Sequence, residues 1–162
     1  MTTDKIYQHD SDEKPFRFND DVAKVFPDML RRSIPGYAAT IEAIGALAAR
    51  YVTADSNCYD LGCSLGAATL AMRQGIDKAG CNIVAVDTAS AMVERCRDII
   101  AEDDRRFAPA TTVDILQADI RDTEITNASM VVLNYTLQFL AMQDRNKLMQ
   151  SIYDGITTVA CW

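Results

Sequence analysis

Histidine is almost missing from this chain: His9 is the only one in 162 residues. The five cysteines, Cys58, Cys63, Cys81, Cys96 and Cys161, contain no CxxC pair. A structural zinc site, which needs four close Cys or His ligands, is therefore not expected, and no metal is assigned. The same scarcity removes a Cys–His nucleophile pair, because His9 stands alone in a polar N-terminal stretch. No run of about 18 apolar residues is present, so no membrane-spanning helix is expected. Met1 to Asp10 lacks the apolar segment of a secretory signal. With the odd cysteine count this points to reduced thiols and a cytoplasmic protein. Positive charge is also short: Lys+Arg 16 stand against Asp+Glu 23, a net charge of -7. A phosphate backbone is repelled by such a surface, so a small-molecule substrate is favoured over direct nucleic-acid binding.

What is present fits one soluble domain. Hydrophobic residues make up 49% and charged residues 24%, which excludes a disordered or low-complexity chain. Residues 1–19 are polar and without apolar periodicity, and read as a flexible N-terminal arm; 20–162 read as an α/β domain. Val22, Val25, Phe26, Met29 and Leu30 recur at helical spacing, in a helix that should stop by Ile34 because Pro35-Gly36 follows. A second helix covers Ala38 to Tyr51, with Ile41, Ile44, Leu47 and Tyr51 on one face. Strands are then expected at Asn57–Leu61, Cys81–Val86, Val113–Leu116 and Ser129–Leu133, each apolar on both faces as buried parallel strands are. Helices lie between them: one carries Ala67, Leu70 and Met72, one is capped by Ser90, and the last runs from about Met142 to Tyr153. Alternating strands and helices with right-handed crossovers give a doubly wound, mostly parallel α/β sheet of the Rossmann-like type.

In such sheets ligands bind beyond the carboxyl ends of the strands, and four strand ends here carry suggestive residues. The first is Asp60-Leu61-Gly62-Cys63-Ser64-Leu65-Gly66, a glycine-bearing turn into a helix N-terminus. Ser64 stands where a full GxGxxG would have glycine. Asp87 follows the second strand about 20 positions later, where a carboxylate can accept hydrogen bonds from both ribose hydroxyls of a nucleoside. At the third end, Asp119 can accept from an adenine amino group while Ile120 packs on the ring. Asn134 ends the fourth. No lysine follows the glycine turn, so a P-loop is excluded. A nicotinamide cofactor would use the same architecture, and the glycine–Asp pair does not exclude it; Asp60, opening the first motif, inclines the reading to S-adenosylmethionine.

Between Asp21 and Tyr153 the chain resembles the carboxy-S-adenosyl-L-methionine synthase family, formerly described as tRNA wobble-uridine (cmo5U) methyltransferases. The resemblance is carried by Val25-Phe26-Pro27-Asp28-Met29, by Arg31-Arg32-Ser33-Ile34-Pro35-Gly36-Tyr37, by Tyr59 to Leu70 and by Asn127 to Leu140. It implies an S-adenosylmethionine-methyltransferase fold that uses S-adenosyl-L-methionine as co-substrate and takes a carboxyl group from prephenate. The product, carboxy-S-adenosylmethionine, feeds a tRNA-modifying enzyme. By the same resemblance Tyr37, Gly62, Cys63, Ser64, Asp87, Thr88, Asp119, Ile120 and Asn134 line the nucleoside site, and the enzyme is a homodimer. Arg31-Arg32 is the basic pair nearest Tyr37, but it also suits a helix C-terminus. The family continues past the last helix, whereas here Gly155 to Trp162 reads as a C-terminally truncated end lacking the last strands. The alternatives are a catalytically silent S-adenosylmethionine-binding or interaction module and an S-adenosylmethionine-dependent tRNA methyltransferase.

Overall fold

The computed structural model describes residues 29–30 and 32–156. The expected N-terminal arm, most of the first expected helix and the C-terminal tail lie outside the described residues. Helix α1 (Tyr37–Tyr51) leads into β1 (Asn57–Leu61), α2 (Ala67–Gly75), β2 (Asn82–Asp87), α3 (Ser90–Phe107), β3 (Thr112–Gln117) and β4 (Ala128–Val132). A short 3-10 turn (Leu137–Phe139) and α4 (Met142–Gly155) follow. The strands form one parallel sheet in the order β3-β2-β1-β4. The chain thus runs outward from β1 to β3, then crosses back to lay β4 on the other side of β1. That reversal creates a switch point beside β1, where open α/β sheets form their clefts.

Helices cover both faces. On one, Ile44 and Ala48 of α1 and Met72 of α2 pack on Cys58, Ile83 and Val132, while Cys96 and Ile100 of α3 pack on Ala85 and Cys63. On the other, Leu148 and Ile152 of α4 join Tyr59, Leu61, Val86, Ile120 and Ile125. Leu61, Met72 and Ile83 are fully buried, each worth about 1.5–3 kcal/mol relative to exposure. No described helix is long and apolar enough to cross a membrane.

Three expectations shift. The stripe of α1 that packs on the core is the buried Ile44 and Ala48 with the half-buried Ile41, while Leu47 and Tyr51 are exposed. The cause is a close approach of α1 and α2 through small residues: a Cβ on Gly75 would collide with the carbonyl of Gly45. β3 is alternately exposed rather than buried on both faces, because it is the edge strand. Ser90 is the first residue of α3 rather than its cap; the cap position is Ala89, whose N–H donates to Asp87 Oδ1 at 3.0 Å.

Candidate functional site

A cavity of about 760 Å³ opens at the carboxyl ends of the strands, within the size range of small-molecule sites. All nine residues expected at the nucleoside site, Tyr37, Gly62, Cys63, Ser64, Asp87, Thr88, Asp119, Ile120 and Asn134, line it. Each strand end contributes, so residues far apart in sequence converge because the parallel sheet aligns their termini.

The loop after β1 is held by the protein's own hydrogen bonds. Gly62 and Cys63 donate their N–H groups to Val86 O at 2.8 and 2.9 Å. Gly62 has φ 88, and a Cβ there would collide with the Thr136 side chain. Ser64, standing where glycine is usual, still takes the left-handed conformation, with φ 50. Its N–H donates to Asp87 Oδ2 at 2.9 Å. Gly66 stands at the N-cap position of α2 and offers no side-chain hydrogen bond, and Ala67 and Ala68 of that first turn border the cavity.

Three carboxylates stand at three successive strand ends, and their environments differ. Asp60 is 1% exposed; its Oδ2 accepts the Thr69 hydroxyl at 2.6 Å, while Oδ1 is buried with no hydrogen-bond partner. Burial pushes its carboxyl up to about 6, against the hydrogen bonding from Thr69, and the nearby Asp87 charge adds to the rise. Asp87 spends one acceptor site of each oxygen, on Ser64 N–H and Ala89 N–H. Two sites remain, one per oxygen. Asp119 is gripped by Arg121, which donates from Nε to Oδ1 at 3.0 Å and from a terminal nitrogen to Oδ2 at 2.6 Å. These bonds hold the Asp119 carboxyl below the usual carboxylate range. Arg121 also donates to Asp144 Oδ2 at 3.1 Å, and its guanidinium is pushed up by its two carboxylates.

At the mouth, Tyr37 and Tyr135 stack with ring centroids 6.3 Å apart, and Tyr135 is in the left-handed region at φ 56. Cys63 is held as a thiol: its hydrogen bond with Cys96, burial and the Asp60 charge all push its pKa up, which disfavours a nucleophilic role. No group of three or more His, Cys, Asp or Glu side chains able to hold a metal occurs among the described residues.

Sequence reasoning missed four contributors: Asp60 as a lining residue rather than a motif marker, and Arg121, Asp144 and Tyr135. Arg121 had a visible signal, a base two positions after the strand-end acid. Asp144 had none, because only the fold brings the start of α4 to the β3 loop.

The family model for a methyltransferase domain matches residues 59–157. The carboxy-S-adenosyl-L-methionine synthase of Aliivibrio fischeri is 59% identical over 141 residues, covering 87% of this chain and 57% of its own. That of Shewanella sediminis is 51% identical over 152 residues, 94% of this chain and 60% of its own. The chain therefore spans less than two thirds of the length of these curated relatives. Among solved structures, a Methanococcus maripaludis protein assigned as an S-adenosyl-L-methionine-dependent methyltransferase superposes with TM-score 0.66 at 19% identity, over 91% of this chain and 64% of its own. Phosphoethanolamine N-methyltransferase 1 of Haemonchus contortus, solved with phosphoethanolamine and S-adenosylhomocysteine, gives 0.53 at 13% identity, over 85% and 30%. At these identities the likeness is one of fold.

Proposed function

Because the chain belongs to the methyltransferase-domain family, we propose that its cavity binds S-adenosylmethionine and that it acts, as its curated relatives are named, as a carboxy-S-adenosyl-L-methionine synthase. The observation that carries the reading is the spare hydrogen-bonding capacity of the three strand-end carboxylates. Asp60 has a buried oxygen with no partner, suited to an ammonium donor. Asp87 keeps one acceptor site on each oxygen, suited to the two hydroxyls of a ribose. Asp119, beside the buried Ile120, suits the amino group of an adenine packed on that side chain. The donors and acceptors of the nucleoside and amino-acid portions thus match what the chain leaves open.

Charge supports the same ligand. Asp60, Asp87, Asp119 and Asp144 line the cavity against Arg121, which is engaged by two of them. A cationic sulfonium is favoured in such a lining. When bound, the sulfonium acidifies the methyl group beside it, which is the carbon that accepts a carboxyl group. In the proposed reaction that carboxyl comes from prephenate; phenylpyruvate and water are released, and the methyl proton balances the step. The chain's own residues bind and orient: the β1 loop fixes the methionine portion, Asp87 the ribose and Asp119 the base, while Asn134 sits at the β4 end. The dianionic prephenate needs positive groups beyond this lining. The product would be consumed in the cytoplasm by a tRNA-modifying enzyme, and a homodimer is part of the same reading.

Calorimetry with S-adenosylmethionine tests the binding step, and absence of heat or thermal shift would sink it. Mass spectrometry after incubation with S-adenosylmethionine and prephenate tests the chemistry. Binding without carboxylated product would leave a silent binding module.

A further inference from the structure

We propose that Arg121, braced by Asp144, is a positioning residue that turns the Asp119 carboxylate into a single-site acceptor selective for a purine with an exocyclic amino group. The inference rests on the nucleoside reading above and deepens it.

Each carboxylate oxygen offers two acceptor sites. On Asp119, Oδ1 accepts the Arg121 backbone N–H at 2.9 Å and Arg121 Nε at 3.0 Å, so it is filled. Oδ2 accepts one terminal Arg121 nitrogen at 2.6 Å and retains one site. The backbone is fixed as well: Asp119 O accepts the Asp122 N–H at 3.0 Å and the Thr123 hydroxyl at 3.0 Å. Ile120, the next residue, is 6% exposed in the core. What freedom remains to Asp119 is rotation of its carboxylate, and the two-point grip of a guanidinium removes it.

Arg121 is itself held from the other side. Its remaining terminal nitrogen donates to Asp144 Oδ2 at 3.1 Å, in the first turn of α4. The guanidinium therefore spans from the β3 loop to α4, a task for its planar fork that a lysine point charge does not perform. An ionised, oriented acceptor accepts the 6-amino group of adenine. The same acceptor faces the oxygen of a 6-oxo purine with two lone pairs opposed, which leaves a polar atom unpaired.

The test compares S-adenosylhomocysteine with S-inosylhomocysteine by calorimetry on the full chain. The unsubstituted protein should prefer the adenosyl ligand on the order of 10–100-fold. Arg121→Met should bring that ratio close to one, Arg121→Lys and Asp144→Asn should lower it in part, and all should melt cooperatively. A merely structural role would weaken both ligands together and leave the ratio in place; a folded Arg121→Met with an unchanged ratio overturns the inference. Should Arg121→Met fail to fold, the ratios of Arg121→Lys and Asp144→Asn decide in the same way. Equal binding of the two ligands by the unsubstituted protein also overturns it. Binding of neither ligand would instead refute the nucleoside reading itself, so the two failures are distinct.

Discussion

Asp87 accepts the backbone N–H of Ser64 at 2.9 Å, tying the end of β2 to the loop that follows β1. Through its other oxygen it accepts the N–H of Ala89, the residue at the N-cap position of α3. One side chain thus fixes two strand ends and one helix start while leaving an acceptor site free on each oxygen.

Asp87→Ala should therefore act twice. Ligand affinity should fall by about 1–3 kcal/mol through loss of the proposed ribose bonds. Stability should fall by about 1–3 kcal/mol as the Ser64 and Ala89 N–H groups lose their acceptor. Calorimetry with S-adenosylhomocysteine reads the first and urea unfolding the second. Unchanged affinity would remove Asp87 from the ribose site.

Asp60 sets a pH dependence. Its carboxyl is pushed up to about 6 by burial, above its unfolded value of 3.8. The ionised form is thus disfavoured in the fold, so this group makes stability fall as pH rises between those two values, by about 3 kcal/mol at most. In the proposed complex a ligand ammonium reverses the preference by pairing with the carboxylate. Affinity for S-adenosylhomocysteine should accordingly weaken as pH drops below about 6, and Asp60→Asn should flatten that profile. A profile that stays steep in Asp60→Asn would place the titrating group elsewhere.

The sheet and the four strand ends were legible because parallel strands are short apolar runs and each stops at a chemically distinct residue. Less legible was whatever depends on which elements touch. Leu47 and Tyr51 belong to the periodic pattern of α1, yet Gly45 and Gly75 let α2 approach along a neighbouring stripe and leave both exposed. Ser90 has the chemistry of a cap, but it lies one residue inside α3, and the residue at the cap position, Ala89, is tied by its N–H to the Asp87 carboxylate. Asp60 was visible as a motif residue; that one of its oxygens lies buried without a partner is a property of packing alone.

Gly62 cannot accept a side chain where it stands. Its φ is 88, and a Cβ would strike Thr136 at the β4 end. Gly62→Ala should cost roughly 1–3 kcal/mol, from backbone strain together with the collision. Adding Thr136→Ala removes the atoms struck first and should restore part of the loss, leaving the backbone component. Urea unfolding of the two variants separates these contributions; no recovery in the double variant would mean that Thr136 is not the obstacle.

Thr69 is fully buried and donates its hydroxyl to Asp60 Oδ2 at 2.6 Å. This bond favours the carboxylate, opposing the rise that burial imposes. Thr69→Val keeps the shape and removes the donor, so the unfolding free energy should fall by about 1–3 kcal/mol at neutral pH. The midpoint of the pH-dependent binding should move upward, because the ionised form has lost a partner. In Asp60→Asn the same substitution should cost less, since no charge is left behind, and a double-mutant cycle in urea measures the difference as a coupling energy. A coupling near zero would mean that Thr69 contributes through packing alone. The upward move of the binding midpoint would then be absent as well.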